Sequence, residues 1–204
     1  MRMCEQAGQE AIYASLNVSR DLVPEITARS CGRKVVLGSE ARRQLVWYPY
    51  YLFYVSLESQ KKSGKVKTNS VIYAVDGIKG YFSFSPGLPN CSDSKPSECT
   101  ALLAPALSLK EARDMGEKEF RAHGRFNAKY ALWLSPGIHF KVVSWQLIYK
   151  PYWLVELEMR GKQVVRVIDG TTGEFGGFQG HRIMQGIRAL KNAGFTKISP
   201  QYVL

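Results

Sequence analysis

The stretch QLVWYPYYLFYVSLE runs from Gln44 to Glu58, and QLIYKPYWLVELEM runs from Gln146 to Met159. Each sets a proline ahead of a run in which aromatic and aliphatic residues alternate by face. Proline fixes φ and has no N–H, so the pattern predicts a strand that opens at Pro49 and another that opens at Pro151. Alternate side chains point to opposite faces of a strand. Tyr51, Phe53, Val55 and Leu57 then form one side of the first ribbon, and Trp153, Val155, Leu157 and Met159 one side of the second. The other sides read Tyr50, Leu52, Tyr54, Ser56 and Tyr152, Leu154, Glu156, Glu158. The first set is apolar throughout, so it is expected to pack on a helix, and the second is expected to face outward.

The correspondence extends downstream. VIYAVDGIKGYF (Val71 to Phe82) matches VVRVIDGTTGEF (Val164 to Phe175), aligning Asp76, Gly77 and Gly80 with Asp169, Gly170 and Gly173. Aspartate bonds backbone amides and glycine supplies positive φ, so both segments read as turns. The first copy is longer between proline and aspartate. Its surplus lies in the loop ESQKKSGKVKTNS, where insertions are well tolerated.

A helix is expected ahead of each ribbon. The second is SLKEARDMGEKEFRAHG, where Ser108 and Glu111 form a capping box and Gly124 a stop. The first is EQAGQEAIYASLNVSRDLV, ending before Pro24. A last helix, GHRIMQGIRALKNAG, carries Ile183, Ile187 and Leu190 on one stripe, with Gly194 as its C-terminal stop. The segment Ser85 to Pro105 is rich in Pro, Ser and Cys, which is linker chemistry. These elements predict an α+β fold of two tandem repeats, each a helix on a three- to four-stranded antiparallel sheet. The first spans 1–85, a linker 86–107, and the second, with the final helix, 108–204.

The segment YWLVELEMRGKQVVRVIDGTTGEF, and more loosely YLFYVSLE with VIYAVDGIKGYF, resembles the PepSY family of small α+β modules. The likeness covers about a quarter of the chain. It implies binding and regulation, including restraint of peptidases by propeptides and sensing at the cell envelope, and brings no catalytic set. The chain departs from that pattern in its strong positive charge and in showing no export segment.

Composition suits a globular protein with a real core: 45% of the 204 residues are hydrophobic and 22% charged. No apolar run approaches the ~20 residues of a membrane-spanning helix, and the first residues show no signal-peptide core, so a cytoplasmic protein is expected. Cys4, Cys31, Cys91 and Cys99 form no CxxC pair and no metal spacing with the histidines. Cys91 and Cys99 are close enough in sequence for a small-loop disulfide, although a reducing cytosol favours thiols. His123, His139 and His181 belong to no nucleophilic or metal motif, and Glu156 with Glu158 does not recur in the first copy. No catalytic residue, metal or cofactor is therefore assigned, and the chain is expected not to be an enzyme.

The net charge of +11 favours a nucleic-acid, anionic-membrane or acidic-protein partner. Candidate contact residues are Tyr50, Tyr54, Tyr73 and Tyr152 on the outward face with Arg166, and the loop cations Lys61, Lys62, Lys65 and Lys67. A weaker anion-binding candidate is Gly180, His181 and Arg182, where GEFGGFQGHR leads into the last helix. The leading expectation is a regulatory binding protein that holds a protein partner on its sheet surfaces or edges. The alternative is a nucleic-acid-binding protein that stacks bases on the tyrosine-lined face.

Overall fold

The computed structural model describes residues 10–31, 35–36, 43–60, 66–85, 87–92, 101–126, 138–159 and 162–193. The fold is α+β. In chain order the described elements are β1 (Ile12–Ala14), α1 (Val23–Cys31), β2 (Val35–Val36), β3 (Arg43–Gln60), β4 (Val66–Asp76), β5 (Phe82–Ser85), β6 (Cys91–Ser92), β7 (Ala101–Leu102), α2 (Leu109–Phe126), β8 (Ile138–Met159), β9 (Lys162–Asp169) and α3 (Gly177–Asn192). The strands form a mostly antiparallel sheet ordered β5-β4-β3-β8-β1-β6, with β2 and β9 pairing β8 and β7 running parallel to β3.

The prolines open a ladder, not a strand. Pro49 and Pro151 lie well inside β3 and β8, which corrects the expectation that each begins its strand. The register explains the sequence signal. Pairing with the return strand begins one residue beyond each proline, at Tyr50↔Asp76 and at Tyr152↔Asp169. Upstream residues continue the strand through other neighbours, as Val46 and Trp47 do with β7.

Two compact units divide the chain by packing. One comprises Met1–Ala11, Tyr50–Leu88 and Leu107–Ile148, and the other Ile12–Pro49, Pro89–Ala106 and Tyr149–Leu204. Each long strand changes unit beside its proline.

In the first unit, α2 packs on β4 and β5. The capping box forms: the Ser108 amide and hydroxyl both donate to Glu111 Oε2, at 2.8 and 2.7 Å, and the Glu111 amide returns to Ser108 Oγ at 3.3 Å. Those bonds hold the Glu111 carboxyl below its usual pKa. Ala112 and Phe120 join Tyr51, Phe53, Val55, Leu57, Val71, Tyr73 and Val75 in one apolar cluster. The apolar side read from the first ribbon is thus the buried one. Its helix, however, is the one the sequence groups with the second ribbon. Gly116 makes this fit possible, because a Cβ there would lie 2.5 Å from Tyr73 Cε2.

In the second unit, both faces of the β8–β9 ribbon are covered. Trp153, Val155 and Ile168 are buried on one side, where Trp153 Nε1 donates to the Val18 carbonyl at 2.8 Å. Tyr152, Leu154 and Val167 are buried on the other, beneath α3. The stripe Ile183, Ile187 and Leu190 is buried as its spacing predicts. The first helix differs from expectation. Residues 12–14 form β1, and α1 starts at Val23 with Pro24 in its first turn, where a missing N–H is harmless.

The segment expected as a linker contains β6 and β7, with Ala101 and Leu103 buried. Cys91 Sγ lies 3.1 Å from the Pro89 carbonyl. Cys99 and Gly194 lie outside the described residues, so the disulfide and that helix stop do too.

Candidate binding site

The strand β9 is rich in β-branched residues, Val164, Val165, Val167 and Ile168, that suit a pleated surface. It ends in the Asp169 turn. Asp169 Oδ1 accepts the Thr171 and Thr172 amides at 2.8 and 3.2 Å, and Gly173, at φ 77°, donates to the Asp169 carbonyl at 2.8 Å. The Asp76 turn has the same wiring: Oδ1 accepts Ile78 and Lys79, at 2.7 and 2.9 Å, and Gly80, at φ 75°, donates to the Asp76 carbonyl. The two differ just before the proline: Tyr48 precedes Pro49 and Lys150 precedes Pro151. Lys150 Nζ donates to Asp169 Oδ2 at 2.5 Å. Burial opposes the ammonium, but the Tyr152 phenol and the Asp169 carboxylate outweigh it and raise the Lys150 pKa.

After the turn the chain doubles back along β9. The Asp169 amide donates to the Glu174 carbonyl at 2.9 Å, and the Gly176 amide to the Val167 carbonyl at 2.7 Å. Gly176 and Gly177, at φ 62° and 66°, then swing it off the sheet into α3. Gly180 sits on Val167, where a Cβ would lie 3.4 Å from the valine Cβ. This close seating draws α3 alongside the strand and leaves a groove of about 480 Å³ between them.

The bonds made by Asp169 and Val167 fix the direction of the remaining backbone. In a strand the N–H and C=O of one residue point the same way, and the direction alternates. Asp169 and Val167 point away from β8, so Val165 and Gln163 do as well. Both line the groove, and among the described residues neither backbone has a partner on that side. β9 therefore presents an open edge for about four residues. The opposite wall is a helical stripe, His181, Met184, Gln185 and Arg188, with His181 Nε2 and Gln185 Nε2 at 2.8 Å. Arg166 also lines it, and among the described residues no carboxylate does.

Of the residues singled out in the sequence, Gly180, His181 and Arg166 meet in this groove. Arg182 does not line it; its guanidinium lies 4.2 Å over the ring of Phe178, which is 70% exposed. Lys67 is exposed on β4, and Lys61, Lys62 and Lys65 lie outside the described residues. The tyrosine face needs correction. Tyr73, Tyr152 and Tyr50 are 0%, 1% and 7% exposed, and Tyr54 is half-buried. Tyr73 pairs with Phe53 and so shares the core face, with ring centroids 5.0 Å apart. Tyr152 is roofed by α3; it meets Tyr48 edge-on at 6.2 Å, and the Tyr48 hydroxyl abuts Gly186.

His123 stacks on Phe82 at 5.4 Å, and its Nε2 lies 3.6 Å from Glu119. Among the described residues no cluster of His, Cys, Asp or Glu is arranged to hold a metal, and no helix is long and apolar enough to cross a membrane. Arg188, Met184, Val165 and Gln163 were not visible as site residues in the sequence. The signal was the i, i+3, i+4, i+7 stripe from His181 to Arg188, running beside the core stripe.

Comparison with protein-family models, with curated proteins and with solved structures finds no match for this chain.

Proposed function

We propose that this chain is a non-enzymatic binding protein that holds an extended segment of a protein partner along the edge of β9. One observation carries the reading. The backbones of Val165 and Gln163 point into a groove walled by α3, so an incoming strand gains main-chain hydrogen bonds and a surface for its side chains. We further propose that the scaffold is a duplicated, PepSY-like α+β module. The matching hydrogen bonds of the Asp76 and Asp169 turns support that reading. The nucleic-acid alternative drew on an outward tyrosine face, and the burial of Tyr50, Tyr73 and Tyr152 leaves it without that support.

The test is a variant that blocks the edge alone. The Val165 N–H points away from β8, so Val165→Pro removes no bond of the β8–β9 ladder, and edge strands tolerate proline. A host-lysate protein retained by the immobilised wild-type chain after nuclease treatment, and not by Val165→Pro, supports strand addition. Equal retention by both, or retention that nuclease abolishes, refutes it. A turnover abolished by one side-chain change would refute the non-enzymatic reading.

A further inference from the structure

We infer that the strand received by β9 is acidic, with carboxylates two positions to either side of an apolar residue. This deepens the strand-addition reading and rests on it. A strand laid beside β9 turns alternate side chains toward α3. There they meet His181, Met184 and Arg188 in succession. Along the helix Met184 is about 4.5 Å from His181 and about 6 Å from Arg188, since each residue rises about 1.5 Å. Alternate residues of a strand are about 6.6 Å apart, so three consecutive inward side chains span that row.

The chemistry of the row sets the order. Met184 is a soft apolar contact that suits an aliphatic side chain. Arg188 and His181 flank it: arginine can bind a carboxylate in a fork, and His181, whose Nε2 accepts from the Gln185 amide, offers a carboxylate its Nδ1–H. The pattern is acid-x-apolar-x-acid, which reads alike in both directions and so does not depend on strand polarity. Arg166 serves the intervening residues, because its pairing with Val155 places it on the opposite face. Among the described residues no carboxylate lines the groove. Glu156 and Glu158 stand on β8, one strand further in. An added strand would be about 10 Å from them at about 4.8 Å per strand, roughly the screening distance in physiological salt.

The test uses the full chain and fluorescein-labelled peptides of sequence Ser-Thr-Glu-Thr-Val-Thr-Glu-Thr-Ser, with both Glu replaced by Gln or by Lys in two controls. Fluorescence anisotropy at about 0.15 M salt, where Glu156 and Glu158 are screened, measures affinity. The expected result is that the Glu peptide binds about tenfold more tightly than the Gln peptide, the Lys peptide being weakest. Arg188→Glu, an exposed position, should remove or invert that order, and Val165→Pro should abolish binding of all three. Equal affinity for the Glu and Gln peptides, both lost in Val165→Pro, overturns the acidic preference and leaves strand addition standing. A Glu peptide that binds Val165→Pro as well as wild type overturns strand addition, and this inference with it. No binding of any peptide up to millimolar concentration, while thermal melts show both variants folded, overturns both. Displacement of the Glu peptide by a single-stranded oligonucleotide at stoichiometric concentration overturns the acidic-peptide assignment in favour of nucleic acid.

Discussion

Adding one methyl group at Gly116 tests the packing of α2 directly. A Cβ there would lie 2.5 Å from Tyr73 Cε2 and 2.9 Å from Val75 Cγ2. Carbon atoms at rest stand about 3.5–4.0 Å apart, so ring or helix must move by about 1 Å. The ring has nowhere to go. Its centroid is 5.0 Å from Phe53, 5.4 Å from Phe82 and 5.6 Å from Phe120. Overpacking a core costs about 1–3 kcal/mol, and a ring locked on several sides belongs at the upper end.

Against that, alanine is favoured over glycine inside a helix by about 1 kcal/mol. The net expectation for Gly116→Ala is a loss of about 2 kcal/mol, or about 4–8 °C in melting temperature for a chain of this size. Gly87 provides the control, since a Cβ there meets nothing within 4 Å. Gly87→Ala should stay within about 0.5 kcal/mol of wild type. Urea unfolding followed by circular dichroism reads both, with an unchanged slope required for the comparison. A Gly116→Ala protein as stable as wild type, or more so, would refute the seating of α2 on β4.

Three further outcomes follow from named groups. The Tyr73 hydroxyl is buried and has no hydrogen-bond partner among the described residues, so Tyr73→Phe should stabilise the fold by about 1 kcal/mol. Burial first, and then Glu117, raise the Tyr73 pKa well above 10.0. Wild-type stability is therefore independent of this group's ionisation below pH 10.0 and falls as the pH rises beyond it, so the gain from Tyr73→Phe should widen there; a gap constant up to about pH 11 would contradict the assignment. Lys150→Met strands the Asp169 carboxylate and should cost about 2 kcal/mol by urea unfolding at neutral pH. Because the folded Lys150 pKa is raised, that difference should persist up to the ordinary lysine value of 10.5 and shrink as the pH climbs through the raised value. Asp76→Ala and Asp169→Ala each free two backbone amides, so each should lower the urea midpoint by the equivalent of about 1–2 kcal/mol; an effect confined to one of them would show that the turns are not energetically alike.

Local chemistry was legible in the sequence and long-range pairing was not. Ser108 and Glu111 announced the α2 cap because both partners sit within one turn. Ile183, Ile187 and Leu190 announced the buried stripe of α3, and the aspartate–glycine segments announced their turns. Tyr73 was misread because its face depends on register: the pairing of β3 with β4 sets Tyr73 opposite Phe53, and alternation within β4 alone cannot show it. Tyr152 was misread for another reason. Its face does turn polar, at the half-buried Glu156 and the exposed Glu158, but Tyr152 and Leu154 on the same face are buried. The proline signal was real but placed on the wrong boundary, since a strand and a hairpin ladder need not start together. The groove escaped notice because an open edge is a property of neighbours.

The contrast between α2 and α3 shows why β9 is the edge to test. α2 begins with a capping box and an acidic first turn, the arrangement that satisfies a helix terminus from within the chain. α3 has no acidic residue in its first turn and opens with Gly177 and Gly180, both poor helix formers. That costs helix stability and yields a close approach to Val167, with cations lining a neighbouring strand edge. Edge strands are usually protected by proline, a bulge or inward charge, because open backbone recruits other chains. Val164, Val165 and Val167 offer none of these protections, and among the described residues only the segment Glu174–Gly176 covers the far end. The proposed strand addition rests on this geometry, a helix seated close through Gly180 beside a strand edge without a backbone partner among the described residues.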